Sequence, residues 1–268
     1  MTLREPAFFV QNNYVERLTV PVASYAREHG IALEDRSSFV GFDPDDCGID
    51  WSAYSFVLPY GSVQFIRKLK ASSLSPFILH DEDRFATSAW APIFGVEALN
   101  GGGTIISVGQ VTDHLARNGS LHLRPDTVDK AFVGGVFDST AWATLRGDRE
   151  LADDLACWVS PVAAIEAEWR CWIVGGKVIE VSKYREAGQH VRARETGVEI
   201  YAAAKRLADH YLPAPCVVLD VARVARQYVL VEFNPIHCSG WYAANVGAVL
   251  DAWLAWCTDA FHSQERAQ

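Results

Sequence analysis

One stretch of the chain decides the fold: residues 217–242, VVLDVARVARQYVLVEFNPIHCSGWY. It contains two apolar, β-branched runs, residues 217–221 and 228–233, separated by a six-residue link that is largely polar. Two such runs in close succession predict a β-hairpin. Each run carries an acidic residue, Asp220 or Glu232, where a buried strand usually has another aliphatic side chain. The predicted hairpin therefore has a polar face as well as an apolar one.

The polar residues of this hairpin are predicted to lie together. Side chains alternate between the two faces of a strand, so Leu230, Glu232 and Asn234 should project to the same side. The length of the hairpin adds Asp220 to that side. Two carboxylates and an amide offer oxygen ligands, which suit Mg²⁺ because this ion keeps waters and shares phosphate oxygens. The alternative is that these residues are polar strand ends that reach solvent, and the hairpin alone leaves both interpretations open.

The composition is that of a globular protein. The chain has 268 residues, of which 50% are hydrophobic and 21% charged, and it includes nine tryptophans. This length allows one large domain or two to three subdomains. A net charge of −9 argues against a broad nucleic-acid footprint. The sequence has no apolar run long enough for a membrane span and no signal-peptide pattern, so we expect a soluble, cytoplasmic protein.

The six cysteines are scattered and form no C-x-x-C pair. In a chain of this length they are expected to be reduced, several of them as small core residues. Neither the cysteines nor the eight histidines have the spacing of a zinc site. Cys238 lies just after the hairpin, where a catalytic thiolate is the alternative to a structural role.

Two domains are predicted from the pattern of elements. A strand at residues 7–11, a helix at 14–29, a strand at 56–58 and a helix that follows Ser62 as its N-cap form a small α/β unit. The glycine-rich run at residues 100–103 marks a flexible connection. We therefore divide the chain into an N-terminal α/β domain, residues 1–100, and a second domain, residues 101–268.

The second domain alternates strands and helices. A Gly175-Gly176 pair predicts a tight hairpin turn between two further strands. Apolar residues at three- and four-residue steps predict a core-facing stripe on the last helix. The predicted strands cover residues 121–124, 131–137, 157–160, 167–174 and 177–184, and the predicted helices cover 108–117, 198–211 and 246–261.

Three basic elements precede the acidic hairpin. Arg124 is followed by Lys130 and by glycines that allow close backbone approach. Arg170 begins an apolar strand, and Lys183-Tyr184-Arg185 closes the hairpin that this strand opens. Each cation has an ordinary alternative: an ion pair, a solvated side chain or a strand end. Their order is more informative, because a nucleoside triphosphate with Mg²⁺ needs cations for its phosphates and carboxylates for its metal.

With these motifs the sequence resembles the ATP-grasp superfamily, and most closely the clade named for two arginines and a lysine. The resemblance covers roughly residues 120–252. Its motifs are Arg-Pro-Asp and Lys-x-Phe-x-Gly within residues 124–134, Glu-Trp-Arg at 168–170, the Gly-Gly turn leading to Lys183-Tyr184, Leu-Asp-Val at 219–221, and Glu-Phe-Asn-Pro followed by Ser-Gly-Trp-Tyr within 232–242.

The resemblance implies an α+β fold of the ATP-grasp type, in which two α+β subdomains clasp ATP after a small N-terminal α/β domain. Adenine would lie against residues 158–162, which include Ser160 and Val162. Either Glu166 or Glu168 would meet the ribose, and both stay open. The glycine-rich lid of many ATP-grasp ligases is reduced here to Gly134-Gly135. The phosphates or an acyl-phosphate would contact Arg124, Lys130, Arg170 and Lys183, with Arg124, Arg170 and Lys183 as the catalytic groups, and Mg²⁺ would be held by Asp220, Glu232 and Asn234.

The chemistry that the resemblance implies is ATP-dependent ligation of a carboxylate to an amine or a thiol through an acyl-phosphate. The partners would be a small-molecule or peptide carboxylate and an amine acceptor. His237, Cys238, Ser239 and Tyr242 would line the acceptor pocket or, equally, form a tight turn after the hairpin. Two alternatives stay open: a phosphotransferase on the same scaffold, and a non-catalytic nucleotide-binding module.

Overall fold

The computed structural model describes residues 5–74, 77, 81–127 and 131–267. Lys130, which we predicted to contact phosphates, lies outside the described residues. The described chain forms three β-sheets with helices packed against them. This mixture of helices and separate sheets confirms the predicted α+β class.

The first sheet is parallel and belongs to the N-terminal part of the chain. Its strands have the order β2-β1-β3, and the predicted strand at residues 7–11 is its central one. Ser62 caps the second helix, accepting a hydrogen bond at Oγ from the Phe65 amide at 3.2 Å. The elements are β1 (Ala7–Gln11), α1 (Glu16–Glu28), β2 (Ala32–Arg36), β3 (Val57–Tyr60) and α2 (Val63–Lys70).

Two short helices follow, α3 (Glu82–Phe85) and α4 (Thr87–Phe94). Their apolar residues pack in one core cluster with residues of the central sheet, among them Phe233. The chain then runs beside that sheet, where the Leu99 amide donates to the Leu230 carbonyl at 2.7 Å. The domain boundary at residue 100 stays a prediction.

The second sheet is antiparallel and has four strands in the order β4-β7-β5-β6. Its core contains Leu123, Phe132 and Trp142. The strand predicted at residues 131–137 begins later than expected, at Gly135. The elements are β4 (Thr104–Ser107), α5 (Val111–Asn118), β5 (Leu121–Pro125), β6 (Gly135–Phe137), α6 (Ser139–Asp148) and β7 (Ala156–Ser160).

The third sheet is central and has the order β10-β9-β8-β11-β12. Both predicted hairpins are present in it. Gly175 and Gly176 form the first turn with φ of 56° and 74°, and Ala225 and Arg226 form the second with φ of 48° and 64°. The second turn is thus shorter than the link predicted from sequence. The elements are β8 (Ala167–Val174), β9 (Lys177–Glu186), β10 (Gln189–Arg194), α7 (Val198–His210), β11 (Cys216–Val224), β12 (Gln227–Pro235) and α8 (Val246–Ala267).

Several β-bulges or register irregularities interrupt the alternation of side chains in the central sheet, and two of them affect the candidate site. Asp220 is opposite Glu232 and Val221 is opposite Leu230, so Val231 is an extra residue. The prediction that Leu230 and Glu232 project together is therefore wrong: Leu230 is buried in the core, whereas Glu232 lines a cleft. A second bulge, between β8 and β9, makes Tyr184 an extra residue.

Helix α8 connects the N-terminal sheet to the central one. Its Val249, Leu250 and Trp253 share a core cluster with Phe8 of β1 and Trp172 of β8. Within the described ranges, every helix is too short or too polar to cross a membrane.

Candidate active site

A cleft of about 470 Å³ lies between the four-stranded and the five-stranded sheet. The four-stranded sheet contributes β5, β6 and the segment before β6, and the central sheet contributes β8, β9, β11 and β12. Five predicted site residues line the cleft: Arg124, Glu168, Arg170, Asp220 and Glu232. Residues far apart in sequence thus meet as the motif order predicted.

Arg170 and Asp220 form the most buried ion pair of the cleft. They are opposite each other on the neighbouring strands β8 and β11. Arg170 donates from Nε to Oδ1 at 2.8 Å and from Nη2 to Oδ2 at 2.6 Å, and the two side chains are only 11% and 2% exposed. Burial acts to lower the pKa of Arg170, but the Asp220 carboxylate outweighs it and the pKa is raised. This bidentate geometry fixes both groups.

A second ion pair crosses the cleft. Arg124 of β5 donates from Nη2 to Glu232 Oε2 of β12 at 2.7 Å. Asn234 connects this pair to the first one, because its Nδ2 donates to Glu232 Oε1 at 3.0 Å and to Asp220 Oδ2 at 3.2 Å. Asn234 is therefore within hydrogen-bond distance of both Asp220 and Glu232, the other two residues predicted to hold Mg²⁺.

Glu168 organises a third group. It accepts from Arg185 Nη1 at 2.7 Å and from the Tyr184 hydroxyl at 2.6 Å. Burial raises the pKa of Tyr184, and the Asp220 and Glu168 carboxylates raise it further, so its hydroxyl stays a donor. The bulge at Tyr184 lets both Tyr184 and Arg185 line the cleft.

Tyr242 covers one side of these charges. Its ring stacks on that of Tyr184 with centroids 4.9 Å apart, and the Arg170 guanidinium lies 5.1 Å from its centroid. The φ of Tyr242 is 49°, which is unusual for a residue other than glycine. Such backbone strain often accompanies functional positions, since the surrounding contacts must hold it.

The other predicted site residues lie away from the charges of the cleft. Lys183 donates to Glu186 at 3.0 Å and lies over the Trp169 ring. Glu166 accepts from Arg223 at 2.8 Å at the surface. Ser160 is buried, with its Oγ 2.9 Å from Asn100 Oδ1, and Val162 is exposed. Of the two glutamates left open for the ribose, Glu168 is the one that lines the cleft.

Asn100 and His122 are among the cleft residues that were missed in the sequence. His122 lies two residues before Arg124 on β5, so strand alternation indicates that the two share a face. Burial lowers the pKa of His122 to about 4, with Arg124 acting in the same direction and Glu232 against it. Asn100 follows Leu99, whose amide donates to the Leu230 carbonyl. It lies in the glycine-rich run that we interpreted as a flexible connection, so no role in the cleft was predicted for it.

The donor set fits the ligands that the fold implies. Carboxylate and amide oxygens are the hard donors that Mg²⁺ prefers. Among the described residues, no group of three or more His, Cys, Asp or Glu side chains forms a metal site, so Asn234 would complete the pair of Asp220 and Glu232. Asn100 Nδ2 and His122 Nδ1 are buried polar atoms at the wall of the same cleft that have no hydrogen-bond partner in the described part of the chain.

The comparison with protein families agrees with this architecture. Residues 106–252, more than half of the chain, match the model of an ATP-grasp domain. The chain therefore belongs to the ATP-grasp superfamily. Within it, the matching model is that of family 2 of the clade named for two arginines and a lysine. This confirms the resemblance described from the sequence. Among curated proteins, no sequence matches significantly.

Solved structures of ATP-grasp proteins share the fold over nearly the whole chain. D-alanine–D-alanine ligase from Bacillus anthracis complexed with ATP is similar with a TM-score of 0.64 and 10% identity, covering 97% of this chain and 99% of that one. A RimK domain ATP-grasp protein from Sphaerobacter thermophilus is similar with a TM-score of 0.61 and 13% identity, and the match covers 93% of this chain and 98% of that one. The ATP-grasp ligase PsnB complexed with precursor peptide PsnA2 and AMPPNP is similar with a TM-score of 0.54 and 11% identity, and the match covers 96% of this chain and 98% of that one. The predicted ATP-grasp fold is confirmed.

Proposed function

We propose that this protein is an ATP-dependent ligase that joins a carboxylate to an amine through an acyl-phosphate, with Mg²⁺ bound at Asp220, Glu232 and Asn234. One observation carries the proposal. Asn234 Nδ2 bridges the two carboxylates, while Arg170 and Arg124 each bind one of them. Cations and oxygen ligands thus form one continuous network, of which Asp220, Glu232 and both arginines line the cleft. Membership of the ATP-grasp superfamily supports this interpretation.

The arginines would bind the phosphates. Arg124, Arg170 and Arg185 line the cleft, and each is paired with one carboxylate. Each of these three ion pairs is electrically neutral. The negative charge of a bound triphosphate would therefore have to be offset by its metal ions. Mg²⁺ held by Asp220, Glu232 and Asn234 would supply this charge neutralisation. We assign Arg185 to the phosphates on its position, in addition to the residues predicted from sequence.

The reaction needs no nucleophile from the protein. An oxygen of the substrate carboxylate attacks the γ-phosphorus, the bond from that phosphorus to the bridging oxygen breaks, and ADP leaves. The amine nitrogen then attacks the acyl carbon, phosphate leaves, and the nitrogen loses a proton. Arg124, Arg170 and Arg185 would orient the phosphates and stabilise the charge that develops on them, because guanidinium groups bind phosphate bidentately. Tyr242 and Tyr184 would shield this region from water.

The structural neighbours support the reaction class. One is a D-alanine–D-alanine ligase solved with ATP, and another is a ligase solved with its precursor peptide. They favour a small-molecule or peptide carboxylate as substrate and an amine as acceptor. They also favour ligation over simple phosphoryl transfer to a hydroxyl group.

The test is a screen of carboxylates and amines for release of ADP and phosphate. We expect release that needs both substrates and Mg²⁺, and a hydroxamate when hydroxylamine replaces the amine. Nucleotide binding without turnover across a broad panel of substrates would contradict the proposal. A stable phosphorylated product formed without any amine would instead identify a phosphotransferase.

A further inference from the structure

Two buried polar atoms belong to residues that line the cleft. Asn100 Nδ2 and His122 Nδ1 are buried and have no hydrogen-bond partner within the described residues. Asn100 is only 2% exposed. Leaving a buried polar group without a partner costs free energy, so such groups are rare and usually mark a missing partner. Both residues line the cleft, where a bound ligand is the nearest source of partners.

The Asn100 amide is held in one orientation. Ser160 Oγ donates to Asn100 Oδ1 at 2.9 Å, and Trp158 Nε1 donates to the Asn100 carbonyl at 2.9 Å. The amide oxygen and the backbone oxygen are therefore occupied. What remains is Nδ2, which is only a donor. Asn100 also precedes residues 106–252, so it lies outside the segment that the family model matches.

His122 is related to this amide through Ser160. It is opposite Ser160 in the pairing of β5 with β7, and Ser160 is the residue that holds Asn100. Burial, assisted by Arg124, lowers the pKa of His122 to about 4. The ring is therefore neutral at pH 7, and a neutral imidazole has one donor and one acceptor nitrogen.

The cleft changes character along β5. Next to Asn100 its wall includes the apolar residue Leu99. Arg124 lies two residues beyond His122, about 6.6 Å along the strand, and there the ion pair with Glu232 begins. An uncharged end with two polar atoms thus adjoins a charged end. This is the order of the base and the phosphates in a nucleotide.

We propose that Asn100 and His122 read the polar edge of the adenine base. Asn100 donates from Nδ2 to a ring nitrogen, and His122, in the tautomer that carries its proton on Nε2, accepts at Nδ1 from the exocyclic amine. The inference rests on the proposed function, because it takes the cleft as the nucleotide site. It adds the residues that select the base.

Paired changes in the ligand and the protein test the role of His122. Equilibrium binding of ATP and of purine riboside triphosphate, which lacks the exocyclic amine, is measured on the wild-type protein and on His122→Phe. We expect the wild type to bind the edited nucleotide about ten-fold more weakly, as for the loss of one buried hydrogen bond. His122→Phe should bind both equally. A variant that keeps the wild-type ratio would overturn the assignment.

The donor role of Asn100 is tested with 1-deaza-, 3-deaza- and 7-deaza-ATP. We expect one of them to bind the wild type about ten-fold more weakly than ATP, and Asn100→Ala to lose that difference. If all three bind the wild type as tightly as ATP, the donor role is overturned even should Asn100→Ala fail to fold. His190→Phe, at an exposed histidine of β10, is the matched control and should behave as wild type.

Failure of this inference differs from failure of the proposed function. If the wild type binds none of these nucleotides, the nucleotide site itself is overturned and the base assignment with it. If it binds ATP but the ratios do not change in the variants, only the base assignment is overturned.

Discussion

Arg124 and Glu232 join two sheets across the cleft. Arg124 Nη2 donates to Glu232 Oε2 at 2.7 Å, and the side chains are 15% and 17% exposed. Arg124 belongs to the four-stranded sheet and Glu232 to the central one. In the proposed function one binds phosphate and the other metal. A nucleotide with its metal ion that contacts both Arg124 and Glu232 must therefore insert between the two side chains or bind beside their hydrogen bond. Nucleotide binding is thereby coupled to the distance between the two sheets.

Replacing Glu232 with Gln should abolish Mg²⁺-dependent turnover and leave the protein folded. The amide keeps the shape of the side chain but removes the negative charge that a divalent ion needs. We expect ADP release to fall by at least about 100-fold, in the range seen when one charge-stabilising group is removed from an active site. The measurement is ADP release as a function of Mg²⁺ concentration, with thermal unfolding as the check on folding.

The matched control is Glu166→Gln. Glu166 accepts from Arg223 and from the Arg226 amide at the surface, and it does not line the cleft. Turnover in this variant should stay near the wild-type value. Wild-type activity in Glu232→Gln would remove Glu232 from the metal site.

Asp220 should matter for stability as well as for activity. Its side chain is 2% exposed and forms both hydrogen bonds with the Arg170 guanidinium. Asp220→Ala leaves this buried cation without its carboxylate, and breaking a buried ion pair costs about 3 kcal/mol or more. Urea unfolding should show a loss of this size, in contrast to the small effect expected for Glu232→Gln.

A double variant separates the two roles of Asp220. Replacing Arg170 with Met and Asp220 with Leu removes both charges, and apolar substitutes of similar size often restore stability. We expect most of the lost unfolding free energy to return while turnover stays absent. An Asp220→Ala protein as stable as the wild type would show that the ion pair does not contribute as argued.

Local patterns in the sequence were sufficient to predict the hairpins and the acidic cluster. The Gly175-Gly176 turn and the two apolar runs near Asp220 determine strands whose neighbours are close in sequence. The helices at Glu82–Phe85 and Thr87–Phe94 were not predicted. Their apolar residues pack against a sheet that lies more than seventy residues further along the chain, as Phe94 packs against Phe233. The local sequence pattern therefore does not show what these helices pack against.

The bulges explain why parts of the candidate site could not be predicted. Strand alternation assumes one residue opposite each partner, and an extra residue reverses the faces beyond it. At Val231 and Tyr184 such a residue is present. Its position is selected by packing between β8, β9, β11 and β12, which a single strand does not reveal. Strand alternation alone therefore gave no reason to prefer Arg185 over Lys183 as the basic residue that lines the cleft.

Lys183 and Arg185 should differ in their effect on nucleotide binding. Arg185 lines the cleft and binds Glu168, whereas Lys183 pairs with Glu186 and lies over Trp169. We expect Arg185→Met to raise the KM for ATP by about ten-fold, since a charge-assisted contact to phosphate is lost. Lys183→Met should leave it within about two-fold of wild type. Steady-state kinetics with varied ATP measures both.

The two variants serve as controls for each other, because both remove the positive charge of a basic residue on the same strand. If Lys183→Met raises the KM and Arg185→Met does not, the phosphate contact belongs to Lys183, as the sequence predicted. Glu168→Gln should also raise the KM for ATP, but by less than Arg185→Met, because the Glu168 carboxylate holds Arg185 in place.

His122 should make the folded protein sensitive to mild acid. Burial, with Arg124 nearby, lowers the pKa of His122 from 6.5 to about 4, against the opposing effect of Glu232. Between these pH values the unfolded chain binds the proton and the folded protein does not, so stability is lost as the pH falls. From pH 7 to pH 4 the unfolding free energy should drop by up to about 3 kcal/mol more in the wild type than in His122→Gln. Urea unfolding across this range measures the difference, and parallel profiles of the two proteins would show that His122 is not buried in its neutral form.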